Sequence, residues 1–174
     1  MPKLIIAFAG PIASGKSTLS EAVARLLGAS QRSFGGLVRR EASRRGLDHS
    51  RLTLQSLGAE LHSSLGPAGM VEHVLADVDG LSVTVDGVRH LDVHHCLKAA
   101  AENYLLVFVA APEEVLSHRR HGRSRPESKS SSLHETESQL EQLRAAADHL
   151  VSSDATTVDE AAAAVVALTR SSSA

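Results

Sequence analysis

The 174-residue sequence has little of several residue types, and each shortage excludes a class of protein. It contains a single cysteine, Cys96, so no internal disulfide can form, which favours a reducing cytoplasm. The formal net charge is −2, so the broad basic excess of a general nucleic-acid-binding protein is missing. No apolar run approaches membrane-spanning length. The apolar stretch near the N-terminus is interrupted by Gly10-Pro11, so we expect neither membrane insertion nor export.

Aromatic residues and asparagine are also scarce. The aromatic residues are Phe8, Phe34, Tyr104 and Phe108, which leaves few side chains for stacking on a base. Tyr104 and Phe108 lie in a predicted core strand, so we do not assign them to adenine. The only asparagine is Asn103. The Asn-Lys-x-Asp guanine-binding motif of GTPases is therefore absent.

The sequence does contain a phosphate-binding motif in the structural context that the motif requires. Residues 4–9 form an apolar run of strand length, and residues 10–17, GPIASGKS, fit the pattern G-x-x-x-x-G-K-[ST]. Apolar positions between 19 and 27 then recur at helical spacing. Strand, glycine loop and helix favour a nucleotide-phosphate site over the alternative, a glycine turn with a surface lysine.

The residue types of this loop suit ATP and Mg²⁺. Glycines allow several backbone N–H groups to converge on one point, and the positive end of the following helix adds to the cradle. Lys16 is placed to reach the β- and γ-phosphates, and the Ser17 hydroxyl to ligate Mg²⁺. We predict that the nucleotide is bound by Gly10, Ala13, Ser14, Gly15, Lys16, Ser17 and Thr18.

Two further segments carry charges that suit an acceptor. In residues 83–89, VTVDGVR, Asp86 ends an apolar strand, where a carboxylate can hold a metal-bound water or orient an acceptor, and Arg89 can bind an acceptor phosphate. The alternative is an Asp-Gly turn with Asp86 as a helix cap. In residues 37–45, the pairs Arg39-Arg40 and Arg44-Arg45 suit an acceptor phosphate, Arg39 most of all, or else form a solvated basic face.

A third charged segment predicts a lid. Residues 119–125 contain four arginines, and positive charge closing over transferring phosphates would stabilise them, with Arg119 and Arg123 as the main contributors. The alternatives are cations at a helix C-terminus or a contact with acidic partners. The ten histidines have no cysteine partner, and H-E-x-x-H is absent, so we expect no structural zinc site.

Alternating strands and helices predict an α/β protein with a parallel sheet covered on both faces and ligands at the carboxyl ends of its strands. We expect a single domain, 1–170, with an acceptor-binding helical part at about 35–78, a lid at about 117–132 and a flexible tail at 171–174. The predicted strands are 4–9, 31–34, 81–85, 104–110 and 149–152. The predicted helices are 18–27, 37–45, 50–65, 67–78, 91–101, 112–120, 133–147 and 158–169.

The order of these motifs resembles that of nucleoside monophosphate kinases, and most of all the dephospho-coenzyme-A-kinase-like branch of uncharacterised small ATPases. The likeness rests on GPIASGKS, VTVDGVR, LVRREA and HRRHGRS. It implies a three-layer P-loop NTPase fold with a five-stranded parallel sheet in the order 2-3-1-4-5, ATP on the loop and Mg²⁺ on the loop serine. The chain departs from the family where it has Gly35-Gly36, Arg125-Pro126-Glu127 and Ser153-Asp154.

Roles carried over by position from this resemblance give a catalytic set of Lys16, Asp86, Arg119 and Arg123, and an acceptor-binding set of Arg39, Asp86 and Arg89. The implied activity is an ATP- and Mg²⁺-dependent kinase of a small phosphate-bearing acceptor. The first candidate acceptor is a nucleoside or deoxynucleoside monophosphate, and the second is dephospho-coenzyme A. The alternative is a regulatory ATPase that hydrolyses slowly and binds a protein partner. The base, the acceptor and the oligomeric state, monomer or homodimer, stay open.

Overall fold

The computed structural model describes residues 2–78, 80–121 and 132–171. Its strands are β1 Leu4–Ala9, β2 Ser30–Ser33, β3 Ser82–Val88, β4 Asn103–Ala110 and β5 His149–Ser152. Its helices are α1 Lys16–Leu27, α2 Phe34–Arg44, α3 Arg51–Leu75, α4 Leu91–Ala99, α5 Glu113–His121, α6 Ser132–Ala146 and α7 Val158–Ser171. The strands are parallel and lie in the order β2-β3-β1-β4-β5. The predicted fold class and strand order are confirmed.

The central strand β1 divides the core into two layers because its side chains alternate between the faces of the sheet. Ile5 and Ala7 belong to one buried cluster, which α2, α3, α4 and α6 cover. Ile6 and Phe8 belong to the other, which α1 and α7 cover. The run of residues 4–9 is continuously apolar because the strand is buried on both faces, as the strands of parallel sheets commonly are.

The boundary between strand β2 and helix α2 lies earlier in the chain than the sequence predicts. Phe34, which we placed in the strand, is the first residue of α2 and is buried. The cause is Ser33, whose hydroxyl accepts a hydrogen bond from the Gly36 N–H at 3.2 Å and so caps the helix. The two helices predicted on either side of Gly66-Pro67 correspond to the two segments of α3, which is kinked at Gly66 with φ 66°.

Strand β3 is longer than predicted and includes Asp86 within its length. Gly87 has φ 86°, and the register against β1 shifts so that Phe8 pairs with Asp86 while Ala9 pairs with Val88. Thr84 and Asp86 point to the same side of the sheet, because side chains two residues apart in a strand share a face. Thr84 accepts a hydrogen bond from Ser20 of α1 at 3.2 Å. This places Asp86 against the first turn of α1.

None of the helices in the described residues is long and apolar enough to cross a membrane. Helix α7 ends at Ser171, and residues 172–174 lie outside the part of the chain that the structure describes.

Candidate functional site

The phosphate loop connects β1 to α1, and its backbone conformation requires glycine at particular positions. Gly10 has φ 141° and Gly15 has φ 89°, and a Cβ on Gly10 would lie 2.2 Å from the carbonyl oxygen of Val109. Only glycine fits at position 10, since a side chain there would overlap the backbone of β4. Ala13 also has a positive φ, 70°, an unusual conformation for a residue with a side chain. The loop is therefore held in a strained, defined shape.

Helix α1 presents its N-terminus to the inside of this loop. The N-cap is Gly15, and no side chain caps the helix. The N-terminus of a helix is a favourable position for an anion. The Ser14 hydroxyl is buried with no hydrogen-bond partner among the described residues. An unsatisfied buried hydroxyl beside the N-terminus of a helix is the arrangement expected of an anion cradle.

Lys16 lies in the first turn of α1 and is buried, with 9% of its surface exposed. Its ammonium group donates a hydrogen bond to the carbonyl oxygen of Pro11 at 3.1 Å. The side chain therefore reaches across the loop, and its ammonium group lies next to Pro11. Thr18, the last of the predicted nucleotide-binding residues, is exposed on the same turn.

Ser17 and Asp86 form the second part of the site. The Ser17 hydroxyl donates to Asp86 Oδ2 at 2.7 Å, while Oδ1 of the same carboxylate is buried and has no hydrogen-bond partner among the described residues. A hydroxyl and a carboxylate beside a phosphate cradle are hard oxygen ligands, the kind that Mg²⁺ prefers. The residues present therefore fit Mg²⁺.

A cleft of about 700 Å³ opens beside Asp86, and we call it the arginine cleft. Arg39 and Arg40 of α2 line it, as do Ser17 and Asp86. The guanidinium of Arg39 lies over Gly35, where a Cβ would stand 3.5 Å from Nη1. The structure thus brings the predicted acceptor arginine, Arg39, and the carboxylate of Asp86 to one cleft.

The other two arginines of this segment have different partners. Arg44 and Arg45 both pair with Glu41, at 2.7 and 2.6 Å, and Arg45 also pairs with Glu60 at 2.7 Å. The hydrogen bonds from Arg44 and Arg45 lower the pKa of Glu41 to about 2. Only the first arginine pair faces the cleft; the second belongs to surface ion pairs.

Arg89 follows β3 and is exposed, and it is not among the residues that line the arginine cleft. Partial loss of water around its guanidinium lowers its pKa, while the charge of Asp86 acts in the opposite direction. The pKa of an arginine side chain lies so far above neutral pH that Arg89 stays protonated. Arg89 is therefore a cation near Asp86, and its predicted contact with an acceptor phosphate stays a prediction.

A second cleft, of about 490 Å³, lies on the other side of the loop, and we call it the serine cleft. Arg119 of α5 borders it and donates to the Ser153 hydroxyl at 2.8 Å and to the Ser153 carbonyl oxygen at 3.0 Å. The same guanidinium reaches the carbonyl oxygen of Ala13 at 3.4 Å. Arg119 therefore joins the phosphate loop to the segment that follows β5.

Sequence reasoning missed the residues of this segment as part of the site. Ser153, Thr156 and Thr157 line the serine cleft, and the one signal for them was the Ser153-Asp154 departure from the family pattern. Arg120, the neighbour of Arg119, is directed elsewhere and pairs with Glu113 at 2.9 Å. Arg123, predicted as a lid residue, lies outside the described residues, as does most of the predicted lid.

A parallel sheet in the order 2-3-1-4-5 with a phosphate loop after its central strand defines a P-loop protein with a kinase-like fold. Solved structures with this fold include a gluconokinase from Sinorhizobium meliloti 1021, with a TM-score of 0.61, 21% identity and coverage of 95% of this chain and 92% of that one. A shikimate kinase from Aquifex aeolicus gives a TM-score of 0.59, 16% identity and coverage of 97% and 98%. At these identities the likeness concerns the fold alone.

A family model described as an AAA domain matches residues 9–141. A UPF0200/UPF0201 protein of Archaeoglobus fulgidus is 35% identical over 73% of this chain, a region that spans 41% of the archaeal protein. A UPF0200 protein of Aeropyrum pernix is 30% identical over 70% of this chain and 68% of its own length. The chain belongs to this AAA-domain family and is one of its UPF0200-type members, so the predicted resemblance to P-loop kinase-like proteins is confirmed.

Proposed function

We propose that this protein is an ATP- and Mg²⁺-dependent kinase that transfers the γ-phosphoryl group to a small acceptor bound in the arginine cleft. One observation carries the proposal. Asp86 is bonded to the loop residue Ser17 at 2.7 Å and also lines the cleft that contains Arg39. A phosphate on the loop and an acceptor in the cleft would therefore meet at one carboxylate.

The donor nucleotide would lie across the loop. The N-terminus of α1 and the Ser14 hydroxyl would bind its phosphates, and Lys16 would exchange its hydrogen bond with Pro11 for one to a phosphate oxygen. The base and ribose would enter the serine cleft, where Arg119 and Ser153 form one wall. Arg119 would then contribute charge close to the phosphates, a role we also assign to Arg123.

Ser17 and Asp86 would hold Mg²⁺, which, when bound, neutralises charge on the transferring phosphate. In the reaction an acceptor oxygen forms a bond to the γ-phosphorus while the bond to the bridging oxygen of the β-phosphate breaks. The chain contributes mainly by placing the two reactants and by fixing positive charge around them. An anionic phosphate acceptor can attack without first losing a proton, so this reaction needs no general base.

The acceptor class follows from the lining of the arginine cleft. Arg39 and Arg40 are both exposed there, and guanidinium groups bind phosphate through paired hydrogen bonds. A nucleoside or deoxynucleoside monophosphate is the leading acceptor, followed by dephospho-coenzyme A. Because a shikimate kinase and a gluconokinase share the fold, their acceptors belong in the test as non-phosphorylated alternatives.

The experiment is ADP release from Mg·ATP with each candidate acceptor added singly to the full-length protein. We expect one phosphate-bearing acceptor to stimulate release strongly. Stimulation only by shikimate or gluconate would retain the kinase and overturn the phosphate-bearing acceptor. Slow release that no acceptor changes would overturn the kinase proposal and favour a regulatory ATPase with a protein partner.

A further inference from the structure

Away from the phosphate loop, two histidines and an aspartate from different elements lie together. His62 belongs to α3, His90 is the N-cap of α4, and Asp92 lies in the first turn of α4. One nitrogen or oxygen atom from each of the three lies within 4.8 Å of those of the other two. His62 Nε2 is 3.1 Å from Asp92 Oδ2, and the two imidazole rings are stacked with centroids 4.3 Å apart. We call this group the histidine cluster.

The cluster is held in place by its surroundings. Asp92 Oδ1 accepts a hydrogen bond from the Val93 N–H at 2.6 Å, and the Leu91 N–H donates to Gln139 Oε1 of α6 at 2.9 Å. Helix α3 packs against α4. His62 and His90 are both partly buried, while Asp92 is exposed. The three residues are therefore positioned by helix packing and keep part of their surface in contact with solvent.

The chemistry of the donors selects a class of ion. Two imidazoles and one carboxylate suit borderline divalent transition ions such as Zn²⁺, whereas Mg²⁺ prefers a set made only of oxygens. A zinc ion bonded at about 2.0 to 2.1 Å brings tetrahedral ligands to roughly 3.3 Å of one another. The three donor atoms now lie within 4.8 Å of one another, so ion binding would shorten these separations and turn the two stacked rings until a nitrogen of each faces the ion. Water would take the remaining position, as it does at open three-ligand sites.

Electrostatics make Asp92 the decisive ligand. The N-terminus of α4 carries partial positive charge, and the cation Arg89 directly precedes the cluster in the sequence. Both oppose a bound cation. The Asp92 carboxylate supplies the negative charge that compensates for them.

We propose that His62, His90 and Asp92 form a binding site for a Zn²⁺-class transition ion, separate from the Ser17–Asp86 pair. Such an ion would join α3 to α4 at the point where β3 ends. The site would thereby fasten the helical segment after α2 to the strand that contains Asp86. The sequence predicted no zinc site because the histidines have no cysteine partner and H-E-x-x-H is absent. His62 comes close to Asp92 only through the packing of α3 against α4.

The test uses the full-length protein, stripped with a chelator and titrated with Zn²⁺ against a chromophoric competitor in excess Mg²⁺. We expect one site that His62→Ala and Asp92→Asn each weaken by roughly tenfold or more. His95→Ala is the matched control, because His95 is exposed on the same helix and lies outside the cluster. Equal Zn²⁺ affinity of the wild type and both cluster variants, or no binding by the wild type, would overturn the proposal.

A second variant separates loss of a ligand from loss of structure. His62→Cys replaces one zinc ligand by another, so the folded variant should keep its affinity, and with Co²⁺ it should show a thiolate charge-transfer band that the wild type lacks. A folded His62→Cys protein without this band would contradict the site. Neither readout depends on ATP turnover, so failure here leaves the proposed kinase activity untouched.

Discussion

The Ser17 hydroxyl donates a hydrogen bond of 2.7 Å to Asp86 Oδ2, joining the first turn of α1 to the third strand of the sheet. The two residues are 69 positions apart in the sequence. Their contact follows from the strand order, since β3 lies directly beside β1 and so brings Asp86 to the mouth of the phosphate loop.

Replacing Asp86 by asparagine tests the role of its carboxylate toward metal. Asp86→Asn keeps the shape and can still accept the Ser17 hydrogen bond, but it loses the negative charge. We expect the Mg²⁺ concentration for half-maximal ATP turnover to rise and kcat to fall by roughly 10²-fold or more. Asp159→Asn, at an exposed position in the first turn of α7, is the control. An unchanged Mg²⁺ requirement in Asp86→Asn would remove Asp86 from the metal site.

Two arginines on the same helix separate acceptor binding from surface charge. Arg39 lines the arginine cleft, whereas Arg44 is paired with Glu41. Arg39→Ala should raise KM for a phosphate-bearing acceptor by about tenfold or more, because a charge-assisted hydrogen bond contributes roughly 1.5 to 3 kcal/mol. Arg44→Ala should leave that KM within about twofold. Equal effects of the two variants in steady-state kinetics would assign the acceptor to another surface.

Neighbouring arginines on α5 test the serine cleft. Arg119→Ala removes the contacts with Ser153 and Ala13, so we expect a higher KM for ATP together with a lower kcat. Arg120→Ala breaks an exposed pair with Glu113 and should change both constants little. If Arg119→Ala alters only the acceptor KM, the nucleotide does not occupy the serine cleft.

The backbone conformation of the phosphate loop can be tested through the free energy of unfolding of glycine variants. Gly10→Ala should lower the free energy of unfolding, because the new methyl group would overlap the Val109 carbonyl oxygen and φ is positive. Gly46 also has a positive φ, 67°, but has nothing within 4 Å of a Cβ, so Gly46→Ala should cost only about 1 to 2 kcal/mol for the backbone conformation. Gly10→Ala should cost about 1 to 3 kcal/mol more than this control. Urea denaturation measures both, and equal costs would contradict the close approach of loop and β4.

Local patterns in the sequence were enough to predict most of the helices and strands, whereas the strand order was predicted from the family resemblance. Residues 4–9 and 149–152 are strands with the predicted bounds. Residues 4–9 are the clearer case, because a short, continuous apolar run before a glycine turn is typical of a buried strand. The errors lie at the ends of two strands, β2 and β3. Phe34 became helical because Ser33 caps α2, and β3 continued through Asp86 because Gly87 allows the register to shift.

The candidate site likewise contains some residues that the sequence predicts and others that only the structure brings together. The phosphate loop is contiguous, so its residues could be named from one motif, and their binding of nucleotide stays a prediction. Ser153 reaches Arg119 across 34 positions, and His62 reaches Asp92 across 30. Contacts of this kind depend on which helices pack together, and no spacing rule within a single sequence contains that information.

The most direct measurement of the central claim is the transfer of labelled phosphate from γ-labelled Mg·ATP to an acceptor, in the wild type and in Lys16→Ala. Lys98→Ala, at an exposed position on α4, is the control. We expect labelled acceptor with the wild type and Lys98→Ala, and almost none with Lys16→Ala. Label that appears only as free phosphate, or transfer that survives Lys16→Ala, would contradict the kinase.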